Sequence, residues 1–219
     1  MKVLAKGIFW VVGLFAVCMA GVIFLSNAAE KSVDIEYASQ PFVGEESAPV
    51  NIVEFGDYKC PVCKDFNDSF FPLIDQELVQ TGKVKFYFMN YSFINVDSNR
   101  SAQFAEAVYQ ELGNEKFWKF HELMYSKQPA DLSFEKVDLY TNEFLKEALA
   151  EIATAEEVAS VMSVVEHEGS MDAWEKDTAT AKQLGVSGTP TMFVNGKEFT
   201  GNSFDDLVKM VEEAAADGK

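Results

Sequence analysis

The stretch Gly56-Asp-Tyr-Lys-Cys-Pro-Val-Cys63 decides the fold, because it places two cysteines where a strand is followed directly by a helix. Residues 49–56 form a short apolar run broken only by Asn51 and Glu54, which predicts a core strand. Apolar residues near helical spacing over 61–81 predict the helix. Cysteines three apart at a helix start lie on one face, and the helix dipole favours a thiolate at the first of them. The pattern therefore predicts a reactive thiol pair.

Three other interpretations of Cys60 and Cys63 are weaker. A structural disulfide closing so short a loop would contribute only about 1.9 kcal/mol by chain entropy, against about 3 kcal/mol for a fifteen-residue loop. A zinc site needs four ligands, and beyond this pair the sequence offers His121 and His167 but no second CxxC. A chance CxxC is a weak signal in general, but its place between a strand and a helix is specific. We assign no role to either histidine.

Alternation and turn chemistry predict the remaining strands of the core. Residues 84–89 alternate between apolar and polar and predict a second core strand. Asn195-Gly196 lies between short runs at 191–194 and 197–200, which predicts a hairpin, since both positions of its tight turn need positive φ. Ser203 is placed to cap a final helix.

Between these two groups of strands, residues 97–184 are helical in pattern almost throughout, which predicts an α/β domain interrupted by a helical insertion. Breaks between its helices are expected at Gly113-Asn114, Gln128-Pro129 and Thr154. Nearer the N-terminus, Val33, Ile35 and Tyr37 alternate and predict a short strand after a tether. The predicted organisation is an N-terminal membrane segment at 1–26, a tether with its strand at 27–48, an α/β core at 49–96 and 185–219, and the insertion at 97–184.

The charge distribution separates the N-terminus from the rest of the chain. The 219 residues carry a formal net charge of −17, but residues 1–26 hold Lys2 and Lys6 and no acid, so the remainder carries −19. This acid excess argues against a nucleic-acid binder, since phosphates would be repelled. A chain of this length that is 48% hydrophobic can bury the core of one domain, and its three cysteines are too few for a disulfide-stapled scaffold.

Residues 7–25 are uncharged and mostly apolar, and as a helix they would span roughly 28 Å, close to the hydrocarbon thickness of a bilayer. Both flanking lysines precede this run, so the N-terminus is predicted to stay in the cytoplasm and the acidic part to lie outside it. The length of the run favours a retained anchor; the alternative is a cleaved signal peptide with Ser26-Asn27-Ala28 at its cleavage site. Cys18 within the run is interpreted as a small apolar residue.

A second motif, Gly185-Val-Ser-Gly-Thr-Pro190, stands directly before the strand predicted at 191–194. An X-Pro bond in this place can mark a cis peptide, although Thr189-Pro190 taken alone fits an ordinary trans turn better. Together with the stretch 56–63, the motif resembles the thioredoxin-fold DsbA-type thiol:disulfide oxidoreductases, most closely the membrane-tethered members of Gram-positive type. The resemblance covers residues 33–215 and implies a thioredoxin-like fold with a helical insertion between its halves.

The resemblance also implies a role for each site residue. In that family the first cysteine is the nucleophile and the second resolves, which carries over to Cys60 and Cys63. The proline is cis and faces the active disulfide, and the backbone before it pairs with substrate, which carries over to Pro190 and Thr189. Such proteins often have a buried acid that relays the proton of the resolving thiol, here Glu54. Burial without a partner would raise the pKa of that carboxyl; the alternative is a strand-edge glutamate facing water.

Val62 stands where strongly oxidising members of the family carry histidine, so a milder oxidant is expected. Tyr58 and Val62, with the residues around Thr189, are expected to form a mostly apolar peptide-binding surface. We expect a monomer, without cofactor or metal, that donates its disulfide to reduced exported proteins. A quinone-linked thiol oxidase of the membrane, similar to DsbB, would reoxidise it. The alternatives are a reductase or isomerase of the same fold and a non-catalytic redox-sensing module.

Overall fold

The computed structural model describes residues 33–217. The membrane segment predicted at 1–26, with Cys18 in it, lies outside the described residues, as does most of the predicted tether. Over the range 33–217, no helix combines the length and the apolar character that crossing a bilayer requires.

A mixed sheet forms the centre of the described part. Its five strands are β1 Phe42–Val43, β2 Val50–Gly56, β3 Val84–Asn90, β4 Thr191–Val194 and β5 Lys197–Glu198. They lie side by side in the order β1-β3-β2-β4-β5, with β2 and β3 parallel and the other neighbours antiparallel. The strands predicted at 49–56, 84–89 and 191–194 are confirmed, and the first of them occupies the middle of the sheet.

Helices follow β2 and β5 and fill most of the chain between β3 and β4. Seven α-helices lie in the described residues: α1 Pro61–Asp65, α2 Phe71–Ile74, α3 Val96–Ser126, α4 Asn142–Ala150, α5 Ala155–Glu166, α6 Met171–Gln183 and α7 Phe204–Asp217. The π-helical segments Phe66–Phe70 and Asp75–Val79 join α1 and α2 into one helical stretch, and Leu132–Lys136 is a 3₁₀-helix. The helix predicted after the cysteines is thus confirmed as far as Val79, with wider turns around Pro72, which has no N–H for the helix ladder.

The predicted breaks within the insertion are confirmed. Gly113 has φ 75° and ψ −172°, so it interrupts α3 in a conformation that favours glycine. The same helix ends at Ser126, just before the predicted Gln128-Pro129 break. Thr154 caps α5 by accepting the Glu157 N–H, and the Glu157 side chain accepts the Thr154 N–H in return.

The hairpin and the last helix form as their turn chemistry predicts. Asn195 and Gly196 have φ of 45° and 79° and connect β4 to β5. A side chain at Gly196 would collide with the backbone of Val33, so glycine is required there on two grounds. The Asp206 N–H donates to the Ser203 hydroxyl at 3.2 Å, which caps the start of α7.

The short strand predicted from Val33, Ile35 and Tyr37 is wrong, because residues 33–37 form no strand. The Val33 N–H donates to the Gly196 carbonyl, while the Ile35 and Tyr37 side chains pack on a hydrophobic cluster. A turn containing Ser39 at φ 65° then carries the chain to the other edge of the sheet, where Phe42–Val43 pairs with β3. The alternation therefore reflects side-chain burial without sheet pairing.

The sheet separates two hydrophobic clusters, and β2 contributes to both. Val50 and Ile52 belong to the larger cluster, and Val53 and Phe55 to the smaller one on the other face. Because side chains alternate along a strand, Glu54 points to the same face as Ile52. This face also carries the two cysteines, which belong to the larger cluster.

Candidate active site

Cys60 lies at the start of α1, where the turn after β2 ends. It is the N-cap residue, with an extended backbone at φ −79° and ψ 117°, and Pro61 follows in the first helical turn. The Cys60 Sγ accepts a hydrogen bond from the Cys63 N–H at 3.4 Å, and the Cys60 thiol donates to the Thr189 carbonyl at 3.3 Å. The residue is 6% exposed, so its sulfur is sheltered but lies at the helix end that favours negative charge.

Hydrogen bonding lowers the pKa of the Cys60 thiol to about 6. The largest cause is the side chain of Cys63, and burial opposes it; the Thr189 side chain and the backbone N–H groups of Cys63 and Val62 add to the lowering. These donors stabilise the thiolate because each points a hydrogen at the charged sulfur, whereas the Thr189 carbonyl accepts from the thiol and does not contribute to the lowering. At neutral pH Cys60 is therefore mostly thiolate in the reduced protein.

Cys63 lies in α1, and its environment has the opposite effect. Its side chain is fully buried, and burial is the largest cause of a pKa well above the ordinary value for cysteine. The hydrogen bond with Cys60 and the negative charge of Glu54 raise the pKa of Cys63 further. Cys63 therefore keeps its proton at neutral pH unless a neighbouring base takes it.

Glu54 is buried in the middle of β2 and is only 2% exposed, so the alternative of a strand-edge glutamate facing water is wrong. Its Oε1 has no hydrogen-bond partner among the residues described. Burial raises the pKa of this carboxyl well above its usual range, and the charge of Cys60 raises it further. Burial thus favours the protonated form of both Glu54 and Cys63, and the charge of Glu54 raises the pKa of Cys63 further, so a proton can be held by either group.

The Thr189–Pro190 peptide bond is cis, as the second motif predicts in the context of this fold. It connects the loop after α6 to β4, and both residues are half-buried. The Cys60 thiol bonds to the Thr189 carbonyl, so this loop and the helix start meet at the reactive sulfur. Residues 129 positions apart in the chain thus form one site.

The two side chains predicted to line a peptide-binding surface differ sharply. Val62 is 58% exposed and lies between the cysteines, and its contact with substrate stays a prediction. Tyr58 is fully buried, and its prediction as a substrate contact is wrong. Its ring packs against Phe88 and Tyr125, and its hydroxyl bonds to His121 Nδ1 at 3.2 Å. The turn after β2 directs this side chain into the larger cluster, because burying an aromatic ring stabilises the fold more than leaving it exposed at the rim of the site.

The sequence profile of a family described as thioredoxin matches residues 37–213. The chain belongs to the thioredoxin family. Disulfide bond formation protein D of Bacillus subtilis is 35% identical over 180 residues, covering 82% of this chain and 78% of the relative. Probable disulfide bond formation protein D of Bacillus anthracis is 32% identical over 177 residues, covering 81% and 79%. The crystal structure of oxidised BdbD from Bacillus subtilis matches at a TM-score of 0.75 and 32% identity, covering 84% of this chain and 97% of that one.

These matches confirm the predicted thioredoxin-like α/β fold with a helical insertion. They also confirm the predicted class of enzyme: the protein is a thiol:disulfide oxidoreductase. The geometry agrees with that class, because a low-pKa thiol at a helix start, a buried second thiol and a cis-proline loop meet at one place.

Two polar residues of the turn before Cys60 have structural roles that the sequence alone did not reveal. Asp57 is buried; its Oδ1 accepts the Lys59 N–H, and its Oδ2 accepts the N–H groups of Phe93 and Ile94. Burial raises the pKa of the Asp57 carboxyl, and these hydrogen bonds oppose the change. Asp57 thereby ties the loop after β3 to the start of the active-site helix.

Lys59 is also fully buried, and it ties the same turn to the insertion. Its Nζ forms an ion pair with Asp97 Oδ2 at 2.9 Å and donates to the carbonyls of Phe134 and Val137. Asp97 in turn accepts the Tyr140 N–H at 3.0 Å. In the sequence, these contacts are indicated only by the two charged residues Asp57 and Lys59 between an apolar strand and a helix.

The histidines stay outside the site. His121 is buried in α3, and burial lowers its pKa to about 3, so the ring is neutral. His167 is exposed at the end of α5 and bonds to the Ser163 carbonyl through Nδ1. In the part of the chain that the structure describes, no three His, Cys, Asp or Glu side chains are grouped so that they could hold a metal ion.

Proposed function

We propose that this oxidoreductase works as a disulfide donor for reduced proteins outside the cytoplasm, with Cys60-Pro-Val-Cys63 as its active site. The observation that supports this proposal most directly is the contrast between the two thiols: the pKa of Cys60 falls to about 6, while that of Cys63 rises. Stabilising one thiolate in the folded protein favours the reduced form, and by linkage the disulfide becomes an oxidant. Val62 adds no positive charge, so a milder oxidant than a histidine-containing member is expected.

The reaction is two exchange steps. A substrate thiolate attacks Cys60 Sγ of the Cys60–Cys63 disulfide, a mixed disulfide forms, and Cys63 leaves as a thiolate that takes a proton from the Glu54 carboxyl. A second substrate thiolate then attacks the substrate sulfur of the mixed disulfide, which releases Cys60 as a thiolate. The enzyme gains two electrons and the substrate gains one disulfide. Burial of Glu54 and Cys63 on one face of β2 supports this transfer.

Substrate contacts are assigned to the rim around Cys60. Val62 is exposed beside the sulfur, and the backbone at Thr189 reaches the same sulfur from the other side. Pro190 leaves no N–H at its own position, so a peptide approaching this loop is aligned by the backbone of Thr189. This arrangement supports recognition of an extended apolar segment, without a requirement for a particular sequence.

The location and partner follow from the N-terminal segment and the direction of the reaction. The apolar run 7–25, preceded by Lys2 and Lys6, supports an anchor or a signal that sends the enzyme out of the cytoplasm. Each turnover leaves the two cysteines reduced, so an oxidant must restore the disulfide. A quinone-linked thiol oxidase of the membrane is the proposed partner, with the enzyme acting as a monomer.

The decisive experiment measures direction and turnover together. The oxidised protein is expected to reactivate a reduced, unfolded disulfide protein over several turnovers with glutathione disulfide as the final oxidant, and Cys60→Ser is expected to abolish this. In a glutathione buffer the reduction potential should lie between about −270 and −120 mV. A potential below about −270 mV would show a reductase, and a single stoichiometric exchange without turnover would show a redox sensor.

A further inference from the structure

Tyr125 of α3 is a fully buried tyrosine whose hydroxyl has no hydrogen-bond partner within residues 33–217. Its ring lies between two aromatic neighbours, with centroids 5.0 Å from His121 and 5.3 Å from Tyr58. Burying a hydroxyl without a partner costs stability, whereas phenylalanine would fill the same space without that cost. Packing alone therefore does not explain why this position carries a hydroxyl.

The position of this hydroxyl is defined by Gly56 at the end of β2. A Cβ built on Gly56 would lie 3.1 Å from the Tyr125 Oη and would also collide with Phe88. The absent side chain at Gly56 leaves the room that the hydroxyl occupies. Gly56 is two residues after Glu54, so both positions point to the same face of the strand. The Tyr125 hydroxyl thus lies on the Glu54 side of the sheet.

A comparison with Tyr58 shows what distinguishes Tyr125. The Tyr58 hydroxyl bonds to Nδ1 of His121 at 3.2 Å, and because the His121 ring is neutral it can accept that hydrogen. The Tyr125 hydroxyl keeps its hydrogen uncommitted. On the same face, Glu54 Oε1 is an acceptor that has no partner either. A donor and an acceptor, which are not hydrogen-bonded to each other in the structure, are thus buried on the same side of β2.

The surroundings of Tyr125 hold both charged and neutral groups. Those that face it are Glu54 from β2, Asp57 and Tyr58 from the turn after it, Cys63 and Lys64 from α1, and His121 from α3. Lys64 Nζ bonds to the Tyr125 carbonyl at 3.1 Å and to Asp68, so its charge is held away from the hydroxyl. Asp57 is occupied by backbone N–H groups. Glu54 and Cys63 remain as the groups whose protonation changes during exchange.

We propose that Tyr125 is a positioning residue for the proton transfer between Glu54 and Cys63, donating its hydroxyl hydrogen to the Glu54 carboxylate whenever Glu54 is ionised. The inference rests on the proposed function and deepens it. When Cys63 attacks the mixed disulfide on Cys60, its thiol proton goes to the Glu54 carboxylate, the Cys60–Cys63 bond forms, and the other thiol leaves as a thiolate. Donation of the disulfide runs the same transfer in reverse.

The acidity of Tyr125 suits this role. Burial is the largest cause of a pKa well above the ordinary value for tyrosine, and the charges of Cys63 and Glu54 raise it further. The phenol therefore keeps its proton and acts only as a donor, without itself entering the transfer. A hydrogen bond donated to an ionised carboxyl group stabilises its charge and so lowers its pKa. Tyr125 thus brings the pKa of Glu54 closer to neutral pH.

The test uses Tyr125→Phe in the full chain, with Tyr37→Phe as the matched control. Tyr37 also buries a hydroxyl without a partner in the described region, but it packs on the other face of the sheet. Cys60 is first converted to its mixed disulfide with thionitrobenzoate, and release of the coloured thiolate by Cys63 is followed as a function of pH. Tyr125→Phe should move the midpoint of this profile up by about one pH unit, as expected for a tenfold loss of carboxylate stabilisation. Tyr37→Phe should leave the midpoint unchanged.

A profile for Tyr125→Phe that coincides with that of the wild type would overturn the inference, as would an equal shift in Tyr37→Phe. The second measurement needs no turnover: the infrared carboxyl band that Glu54→Gln removes should titrate at higher pH in Tyr125→Phe. If that band titrates unchanged, Tyr125 does not act on Glu54.

A double variant separates action through Glu54 from a general structural effect. In a Glu54→Gln background, adding Tyr125→Phe should change the release rate less than twofold, because the group that Tyr125 serves is already gone. A fully additive effect contradicts the inference. The wild-type turnover assay is scored separately: if the wild type fails to oxidise substrates, the proposed function fails, whereas an unshifted profile in an active enzyme refutes only the role of Tyr125.

Discussion

Cys60 and Cys63 are three residues apart in one helix, yet the structure moves their pKa values in opposite directions. Cys60 caps the helix, receives the Cys63 N–H and meets Thr189, and its pKa falls to about 6. Cys63 is one turn further in, without exposure, and burial raises its pKa. The reactivity of each thiol therefore depends less on the CxxC motif than on the groups that the rest of the chain packs around each sulfur.

Different parts of the chain provide the two environments. The cis-proline loop, far along the sequence, reaches Cys60 through the Thr189 carbonyl. The central strand carries Glu54 on the face where Cys63 is buried. The side chain of Cys63 and the free N–H groups of the helix end stabilise the Cys60 thiolate, whereas burial, and then the charge of Glu54, disfavour a Cys63 thiolate. The pair therefore separates into one ionised and one protonated thiol.

The largest expected effect comes from removing each sulfur in turn. Cys60→Ser should lose turnover by about a thousandfold or more, since the attacked sulfur is gone, and it should form no mixed disulfide with substrates. Cys63→Ser should also lose turnover but should accumulate mixed disulfides on Cys60, because the second thiol no longer releases them. Non-reducing gels with mass mapping distinguish the two outcomes. Adducts on Cys63 in the Cys60→Ser protein would reverse the roles assigned here.

Selective alkylation of the reduced protein should show the next largest difference. Iodoacetamide should label Cys60 with a rate that rises through a midpoint near pH 6, the pKa of its thiol. Cys63 should react at least about a hundredfold more slowly at pH 7, because it is protonated and fully buried. Peptide mapping after brief exposure measures both rates, and unfolded protein provides the control in which the two should be similar. Preferential labelling of Cys63 would contradict the comparison.

A moderate effect is expected on stability, and its sign depends on pH. The lowered pKa of Cys60 stabilises the folded reduced form above the unfolded pKa, and this contribution is lost as pH falls through about 6. Between pH 8 and pH 5 the loss should amount to roughly 2 kcal/mol. The oxidised form has no titrating thiol pair, and its short loop contributes about 1.9 kcal/mol at either pH.

Melting curves of both forms provide the measurement for this effect. The reduced protein should melt close to the oxidised protein at pH 8 and clearly below it at pH 5. Because the charge of Cys60 raises the pKa of Glu54 only in the reduced form, the same comparison in Glu54→Gln isolates the contribution of Cys60. A gap that is large and independent of pH would show that the disulfide serves only to stabilise the fold.

The smallest effect concerns the exposed residue between the two sulfurs. Val62→His should lower the pKa of Cys60 further and make the reduction potential less negative, because an imidazolium favours the adjacent thiolate. The site is 58% exposed and therefore screened, so the change should not exceed about 30 mV, equivalent to a tenfold change in the equilibrium constant. Glutathione titration measures it, and Val62→Asn is the neutral control. A shift to more negative potential would contradict the proposed thiolate stabilisation.

Much of the fold follows from local sequence signals. Periodicity placed β2, β3 and the insertion helices, and Gly113, Thr154 and Asn195-Gly196 marked the breaks and the hairpin correctly. These features depend on backbone preferences and on burial within one element, which neighbouring residues report directly. The strand predicted from Val33 was wrong because alternation reports burial of alternate side chains but not hydrogen-bond pairing.

For the active site, local sequence patterns predicted the two cysteines at the start of the helix but not the surroundings of these cysteines. The motif identified Cys60 and Cys63, but it placed Tyr58 on the surface, whereas the structure buries that ring. It also gave no sign that Lys59 pairs with Asp97 inside the insertion. A side chain's direction at a strand-to-helix junction depends on the turn geometry and on available space, and neither is encoded by the residue type alone.

Local sequence is enough to specify a strand that leads into a helix with a thiol at its first turn, and with it the kind of chemistry this chain performs. The control of that chemistry depends on tertiary packing. This packing brought Thr189 to the Cys60 sulfur, placed Glu54 and Tyr125 on the face of Cys63, and thereby separated the two thiols. The physical reason is that helix ends and turns arise from neighbouring residues, whereas burial and charge at a sulfur arise from groups distant in sequence that only packing brings together.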